Sequence, residues 1–308
     1  MGTKYSNLDN VSNDKSFRDL RKWMKERKNK FIDLSKKIEI IDKVDYESIN
    51  YLDFSITWIG HATFLIRMNG VTILTDPVWA KRMGSSNRLV PPGIPIENLP
   101  NIDVVVISHG HYDHLDFGTL RKLKGDPTIY VPIGLRRSFT WRGYKNVIEA
   151  NWWDSFENDN LKISFVPAQH WTMRKIIDRN TSHWGGWVVE DTLSKDSVYF
   201  VGDTGYFRGF KEIGERFSID TVLMPIGAYE PEWFMKPSHI NPEDSVKAFL
   251  ELKAKQLIPM HYGTYHLADD TGPVALERLQ NEWCRLSLDG SNLKVLKIGE
   301  TYKKPSTD

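Results

Sequence analysis

The sequence holds a single cysteine, Cys284, among its 308 residues. One cysteine excludes an intramolecular disulfide and any cysteine-rich zinc site. No apolar run approaches the roughly 20 residues that a membrane-spanning helix needs, and the first ten residues lack the apolar core of a signal peptide. Neither sign of charge is in excess, with 41 basic against 40 acidic residues. These absences predict a soluble, cytoplasmic protein with no nucleic-acid partner, because phosphate contacts require clustered Lys and Arg.

Apolar and aromatic residues, by contrast, are plentiful enough for a large globular core. The hydrophobic fraction is 40%, and the aromatic residues comprise 11 Trp, 12 Tyr and 14 Phe. A chain of this length forms one large domain or two small ones. Because the pattern of residues changes near position 54, we predict a helical extension over residues 1–53 and a main domain over residues 54–308.

The extension carries a basic amphipathic pattern. Between residues 14 and 43 there are 11 Lys or Arg against 6 Asp or Glu, a local net charge of +5. Apolar residues here recur at spacings of three, four or seven, which predicts one face of a helix. They are Phe17, Leu20, Met24, Phe31, Leu34, Ile38 and Ile41. Such a helix could pack on the main domain or make weak peripheral contact with an anionic membrane, and the sequence leaves both open.

From residue 54 onward, short β-type runs are separated by Gly, Pro, Asn and Asp. Asn69-Gly70 predicts a tight hairpin between two of these runs. The predicted strands are Ser55–Ile59, Thr63–Met68, Val71–Thr75, Val104–Ile107, Thr128–Val131, Lys162–Pro167, Trp187–Glu190, Val198–Val201, Thr221–Met224, Gln256–Met260 and Leu293–Leu296. The predicted helices are Thr119–Lys124, Arg208–Phe217, Pro242–Leu252 and Val274–Glu282. This order predicts a mixed α/β fold whose sheets are covered by helices, with residues 82–99 as a surface loop.

Three histidines and an aspartate are concentrated in one short segment. His109, His111, Asp113 and His114 lie within six positions, directly after the apolar run at 103–108. Ordinary core hydrogen bonds cannot satisfy so many imidazoles and a carboxylate at once. Their natural common partner is a divalent metal ion.

Three further candidate ligands each follow a predicted strand. His170, Asp203 and His261 stand just after the strands that begin near residues 162, 198 and 256. Functional side chains of α/β proteins collect where strands end, so neighbouring strands would bring these groups to one rim. Seven ligands, with one carboxylate shared, suit two metal ions.

His61 and Asp76 also follow predicted strands, and position alone does not separate them from the other seven. Because seven residues already fill two sites, we interpret these two as outer residues that orient the ligands through hydrogen bonds. The donor set predicts two Zn²⁺ ions, although iron or manganese would also be accepted.

The same residues resemble the metallo-β-lactamase superfamily. The likeness rests on the segment 109–114, on His170, on the Gly-Asp-Thr-Gly run at 202–205 and on His261. It implies an αββα four-layer sandwich with a two-metal site along one edge of the β-sheets, formed by residues 54–308.

A narrower resemblance, to the N-acyl-phosphatidylethanolamine-hydrolysing phospholipase D family, rests on six short blocks. They are Thr57–Thr63, Leu74–Pro77, Gln169–Trp171, Gly202–Tyr206, Pro225–Pro231 and Trp233–Lys236. The resemblance implies a ligand assignment. It places His109, His111 and His170 on the first zinc, Asp113, His114 and His261 on the second, and Asp203 between them.

The implied reaction is a phosphodiester hydrolysis of phospholipase D type. A metal-bridging hydroxide would attack the phosphorus of N-acyl phosphatidylethanolamine or a related phospholipid. Asp113 would orient this hydroxide or accept its proton, and His239 would bind the substrate or assist the leaving group. Trp171, Tyr206 and Tyr229 are predicted to contact the substrate.

Two other functions stay open at this point. A hydrolase of the same fold could cleave another small molecule, such as a sugar-phosphate lactone or a different phosphodiester. A metal-bound protein without activity could serve as a binding module, although such a scaffold would not need all seven ligands. A homodimer is compatible with the sequence as well.

Overall fold

Two β-sheets share one apolar core in the computed structural model, which describes residues 3–45 and 52–304. The strands are β1 Phe54–Gly60, β2 Thr63–Met68, β3 Val71–Thr75, β4 Arg82–Met83, β5 Ser86–Asn87, β6 Val104–Val106, β7 Thr128–Pro132, β8 Val147–Ala150, β9 Ser155–Asn158, β10 Leu161–Val166, β11 Gly186–Asp191, β12 Ser197–Phe200, β13 Thr221–Pro225, β14 Gln256–Met260 and β15 Thr301–Lys303. The first sheet has the order β15-β1-β2-β3-β6-β7-β8, and the second has the order β14-β13-β12-β11-β10-β9.

Helices cover the outer faces of both sheets. The helices of the described residues are α1 Phe17–Lys28, α2 Phe117–Leu120, α3 Arg136–Thr140, α4 Gly209–Arg216, α5 Glu232–Met235, α6 Pro242–Leu252 and α7 Gly272–Arg285. Of these, α1 and α5 bury none of their residues and do not belong to the covering layers. Helix α6 packs between α4 and α7 and against β13 of the second sheet. The layers run helix, sheet, sheet, helix, which confirms the predicted αββα sandwich.

Alternate residues of the first sheet point into two different cores. In β2, Phe64 and Ile66 face the second sheet, whereas Leu65 packs with Phe117 of α2 and Phe139 of α3. Successive side chains of a strand point to opposite faces, so a sheet covered on both sides needs apolar residues at every position. This requirement explains the nearly continuous apolar runs in the sequence.

Most predicted elements are observed within a few residues of their predicted ends. Helix α6 matches its prediction at both ends, because the Asn241 side chain caps it and Pro242 occupies the first turn. The hairpin at Asn69-Gly70 is confirmed, since both residues have the positive φ that this tight turn requires. The edge strands β8, β9 and β15 were not predicted.

Two predicted elements were wrong. Leu293–Leu296 is not a strand, because only Leu293 pairs with the second sheet, through an isolated bridge to Leu257. Residues 82–99 do not simply form a surface loop. They contain the small β4–β5 hairpin, and their apolar side chains, including Ile94, are buried in the core.

The helix of the extension is shorter than its apolar spacing predicts. Helix α1 starts at a capping box made by Ser16 and Asp19 and ends at Lys28. Further along, the chain is extended: Ile38 is buried, and Ile40 pairs with Ile298. Apolar β-branched residues at every second position favour this extended pairing over a helix.

Strand direction explains why the predicted ligands can meet. Strands β1, β3 and β6 run the same way in the first sheet, since β2 is antiparallel to both β1 and β3, and β3 is parallel to β6. In the second sheet β10, β12 and β14 share one direction for the same reason. The carboxyl ends of these six strands lie at one edge of the sandwich. None of the helices in the two described ranges combines the length and the apolarity needed to span a bilayer.

Candidate metal centre

Sharp turns follow three strands at the edge of the sandwich where the candidate ligands meet. His61, Asp76 and His261 directly follow β1, β3 and β14, and each has a positive φ. Non-glycine residues rarely adopt this conformation, which costs about 1–3 kcal/mol, and it clusters at functional sites. The fold therefore tolerates local strain at this edge.

His109, His111 and His170 form the first set of donors, which we call the imidazole group. His109 Nε2 lies 2.8 Å from His111 Nδ1, and His170 Nε2 lies 3.1 Å from the same atom. All three side chains can point one nitrogen at a common point. This is the set predicted for one metal ion.

Asp113, His114 and His261 form the second set, which we call the carboxylate group. Asp113 Oδ2 lies 3.3 Å from His114 Nε2 and 3.6 Å from His261 Nε2. His61 Nε2 lies only 3.0 Å from Asp113 Oδ2, so His61 is close enough to join this set. The geometry thus brings His61 nearer to the ligands than the sequence interpretation placed it.

Asp203 lies between the two groups. Its Oδ1 is 3.1 Å from His261 Nε2, and its Oδ2 is 3.2 Å from His114 Nε2 and 3.8 Å from His170 Nε2. One carboxylate thus contacts both groups, as a bridging ligand would. All seven predicted ligands converge.

The donor geometry fits divalent metal ions. Two imidazole nitrogens bound to one zinc ion at 2.0–2.1 Å in a tetrahedral site stand about 3.3 Å apart. His114 Nε2 and His261 Nε2 are 3.2 Å apart, close to this spacing. The three rings of the imidazole group face one another through His109 Nε2, His111 Nδ1 and His170 Nε2, and sharing protons cannot satisfy all three nitrogens. A cation bound between them would accept all three nitrogens.

Burial dominates the ionisation of the imidazole group. Removal from water lowers the pKa of His111 to about 4 and holds the pKa values of His109 and His170 well below the ordinary value. Burial likewise lowers the pKa of His61 to about 3. These rings are neutral near pH 7, which is the form that binds metal.

Carboxylates reverse this outcome in the carboxylate group. Burial opposes charge there too, but Asp203 and Asp113 raise the pKa of His261 to about 9 and that of His114 well above the ordinary value. Burial alone would raise the pKa values of Asp113 and Asp203, yet His114 and its neighbours hold both well below the usual range. In the ion-free protein, protons on the rings balance the buried carboxylates.

Asp76 contacts His114 from outside the cavity and is linked to His109 through Ser108. His114 Nδ1 donates to Asp76 Oδ2 at 2.6 Å, which leaves Nε2 free to face the centre. Ser108 was missed by the sequence analysis: its hydroxyl donates to the same carboxylate at 2.5 Å and lies 2.9 Å from His109 Nδ1. Its position beside His109 was the only signal in the sequence. Such outer contacts fix ring orientation and tautomer.

Arg174 is a second residue that the sequence analysis missed. Its half-buried guanidinium donates to the carbonyls of Gly110 and Leu115, at 2.8 and 2.9 Å. Its charged group also lies 4.2 Å from the centre of the Tyr112 ring. Arg174 lies in the loop between β10 and β11 and supports the 109–114 segment from there. No sequence motif predicts this contact.

A cleft of about 520 Å³ opens over the centre. His111, Asp113 and Asp203 form part of its floor, and His239 and Trp171 lie on its walls. The His239 Nδ1 is 3.8 Å from Asp203 Oδ2, and burial lowers its pKa to about 4. The rest of the lining is mostly apolar, with one basic and one further acidic side chain; it comprises Ala80, Arg82, Met83, Gly84, Tyr112, Asp116, Ala228, Met235 and Leu267.

Two of the predicted substrate contacts lie elsewhere. The Tyr206 hydroxyl donates to Glu251 at 2.6 Å, away from the residues that line the cleft. The Tyr229 side chain is fully buried beneath Arg278, and its neighbour Ala228 reaches the cleft instead. Both tyrosines thus support the fold around the site in this geometry, whereas Trp171 and His239 lie where a substrate would bind.

Comparison with known proteins agrees with this geometry. Residues 71–262 match the model of the beta-lactamase superfamily domain. An N-acyl-phosphatidylethanolamine-hydrolyzing phospholipase D of Caenorhabditis elegans is 40% identical over 228 residues, which are 68% of this chain and 64% of that protein. The mitochondrial counterpart of Saccharomyces cerevisiae is 34% identical, over 74% of this chain and 52% of its own length. The chain thus spans between half and two thirds of these relatives.

Other relatives match over nearly their whole length. A metal-dependent hydrolase of Methanopyrus kandleri is 30% identical over 81% of this chain and 99% of its own. Igni18, a metallo hydrolase of Ignicoccus hospitalis, shares the fold with a TM-score of 0.61 at 23% identity, over 82% of this chain and 99% of that one. With its His and Asp donors gathered at one sheet edge, this chain belongs to the beta-lactamase superfamily and is similar to its metal-dependent hydrolases.

Proposed function

We propose that the protein is a binuclear zinc phosphodiesterase of phospholipase D type, which hydrolyses N-acyl phosphatidylethanolamine or a related phospholipid. The observation that carries the proposal is the combination of two adjoining donor groups with an open cleft whose walls are largely apolar. The names of the worm and yeast relatives support the same substrate class.

The imidazole group would hold one zinc ion and the carboxylate group the other, with Asp203 in contact with both. Two such ions would supply Lewis acidity and water activated near neutral pH. The ions thus account for activation, and the chain's own residues must orient the reactants and move protons.

In the proposed reaction, the oxygen of water bonds to phosphorus and the bond from phosphorus to the ethanolamine oxygen breaks. Asp113 faces the cleft and is fixed by His61, so its carboxylate can accept the proton of the attacking water. His239 lies at the cleft wall as a neutral imidazole, whose N–H can donate to the departing oxygen. The products are phosphatidic acid and an N-acylethanolamine.

The cleft walls suit an amphiphilic substrate. Met83, Trp171, Met235 and Leu267 offer apolar contacts for acyl chains, and Arg82 offers a positive charge for a phosphate oxygen. A small polar pocket, which a sugar-phosphate lactone would require, is not what the described residues form over the centre.

We also propose that α1 brings this cleft to an anionic lipid surface. The helix is fixed beside the cleft, because Trp23 donates to Asp269 and Trp233 donates to Glu26. Its apolar residues nevertheless face outward: Phe17 is 74% exposed and Met24 is 56% exposed, among many Lys and Arg side chains. This combination is typical of helices that lie in a membrane interface.

The activity test compares substrates. Zinc-loaded protein should release phosphatidic acid from N-acyl phosphatidylethanolamine in mixed micelles, and His111→Ala should abolish the release, as measured by mass spectrometry. Cys284→Ser, an exposed substitution, is the control and should retain full activity. Hydrolysis of bis(p-nitrophenyl) phosphate without any attack on phospholipids would keep the phosphodiesterase and overturn the lipid assignment.

The membrane test uses vesicles. The double variant Phe17→Ser/Met24→Ser should lose cosedimentation with phosphatidylglycerol vesicles and keep activity on a water-soluble diester. Leu193→Ser is the matched control, because Leu193 is 67% exposed but lies in the β11–β12 turn at the opposite edge of the sheet. Equal vesicle binding by all three proteins would contradict a role for α1.

A further inference from the structure

Residues 3–14, which we call the N-terminal strap, reach the metal centre from the far end of the sequence. Two asparagines of the strap are nearly buried: Asn7 is 8% exposed and Asn13 is 7% exposed. Both contact the same residue of the imidazole group, His170, which lies more than 150 positions away in the chain. The helical extension is therefore not a separate appendage of the centre.

The two asparagines satisfy both backbone groups of His170. The His170 N–H donates to Asn7 Oδ1 at 2.9 Å, and Asn13 Nδ2 donates to the His170 carbonyl at 2.7 Å. Strand β10 has already ended at Val166, so His170 has no neighbouring strand to pair with. Buried backbone groups must find partners, and the strap provides both.

The ring of His170 is fixed as well. Its Nδ1 donates to the carbonyl of Ser238 at 2.9 Å, which leaves Nε2 to face His111 at 3.1 Å. With the backbone held on both sides and the ring held at one nitrogen, the direction of Nε2 is determined. Arg179 reinforces the arrangement, because it donates to the Asn13 carbonyl and lies over the ring of Trp171.

We propose that Asn7 and Asn13 are positioning residues of the metal centre, which set the affinity of the imidazole group by fixing His170. The strap acts on metal binding and not on the substrate. The inference rests on the metal centre of the proposed function, and it holds whichever bond the enzyme cleaves.

The two contacts have opposite chemistry, which provides isosteric tests. Asn7 acts on His170 through its oxygen, an acceptor that aspartate also has. Asn13 acts through its amide nitrogen, a donor that aspartate lacks. Asn7→Asp should therefore keep the contact, and Asn13→Asp should lose it.

The experiment titrates Zn²⁺ into the metal-free full-length protein against a chromogenic chelator. Asn13→Ala and Asn13→Asp should weaken one of the two Zn²⁺ equivalents by about 10–100-fold, the usual effect of losing a contact that orients a ligand. The second equivalent and the Tm of the metal-free protein should stay as in the wild type. Asn7→Asp should bind both equivalents normally.

Asn10→Gly is the matched control, because Asn10 is an exposed asparagine of the strap with a φ of 54° that glycine adopts readily. Equal Zn²⁺ binding by the wild type and both Asn13 variants would overturn the positioning role. The positioning role would also be overturned if the Asn13 variants bound both Zn²⁺ equivalents equally weakly and the metal-free variants had a lower Tm. If Asn13→Ala does not fold, the comparison of Asn7→Asp with Asn13→Asp replaces it. Weaker binding of one Zn²⁺ equivalent by Asn13→Asp alone would support the positioning role, and equal binding by both variants would overturn it.

The test separates this inference from the proposed function. A wild type that binds two Zn²⁺ ions but hydrolyses no phosphodiester would contradict only the proposed function. A wild type that binds no Zn²⁺ would contradict both. Normal hydrolysis with unchanged affinity in the Asn13 variants would contradict only the role of the strap.

Discussion

The imidazole group and the carboxylate group lie in one cavity but differ in charge. In the first, burial keeps the rings neutral and the pKa of His111 falls to about 4. In the second, Asp113 and Asp203 outweigh burial and raise the pKa of His261 to about 9. The same type of side chain therefore ionises in opposite ways in two adjoining parts of one cavity.

This difference shows how the neighbours of a ligand set its chemistry. A metal ion entering the imidazole group meets rings that have already lost their protons. A metal ion entering the carboxylate group must displace protons that balance the two carboxylates. The two ions of the proposed centre should therefore bind with different dependence on pH and on mutation.

The largest expected effect removes the residue that both groups share. Asp203→Ala should weaken metal binding in both groups and reduce hydrolysis by more than about 100-fold, because losing a ligand costs more than losing an orienting contact. Metal content by plasma mass spectrometry and turnover of a diester would measure this. Asp126→Ala, which removes an exposed carboxylate, should change neither. Retention of both ions by Asp203→Ala would contradict its place between the groups.

Smaller losses of metal affinity are expected from Asp76 and Ser108, which orient the candidate ligands through hydrogen bonds. Asp76→Asn replaces the charged acceptor of His114 and should weaken the carboxylate group by about 10–100-fold. Ser108→Ala removes only the neutral hydroxyl beside His109 Nδ1 and should weaken the imidazole group by a smaller factor. Competition with a chelator for each equivalent would compare the two variants. A larger loss of affinity in Ser108→Ala than in Asp76→Asn would contradict this prediction.

The last test compares how metal binding by the two groups responds to pH. Because the pKa of His261 is raised to about 9 in the ion-free protein, its ring is protonated below that pH and must release a proton to bind metal. The pKa of His114 is also held well above the ordinary value, so metal binding releases two protons, and affinity for this equivalent should rise by up to about 100-fold per pH unit between about pH 6 and pH 8. The pKa of His111 is about 4, so affinity for the other equivalent should be nearly flat there. If the affinity for both equivalents changed with pH by the same factor, the difference in ionisation between the two groups would be contradicted.

Most of the candidate ligands could be predicted from local features of the sequence. His109, His111, Asp113 and His114 lie within six positions, so the sequence alone indicates that they act together. His170, Asp203 and His261 were predictable because strands alternate with polar residues at their ends. Tyr206 and Tyr229 lie in equally distinctive blocks, yet their side chains point into the fold, since short blocks do not encode direction.

The extension shows the limit of pattern analysis most clearly. The spacing of Phe17, Leu20 and Met24 predicted a helix, and α1 is present. The same spacing continued to Ile41, where pairing with residue 298 favoured extended chain instead. A contact between residues so far apart in sequence cannot be predicted from the spacing of apolar residues.

The sequence by itself determined the fold class and the seven candidate metal ligands that the structure brings together, because strand patterns and histidines at strand ends are local properties of the chain. Only the tertiary structure decided that His61 lies against Asp113, that Ser108 and Arg174 brace the ligand segment, and that the N-terminal strap holds His170. These contacts join distant segments. Their geometry depends on how two sheets pack, and this is set by the whole core rather than by any motif.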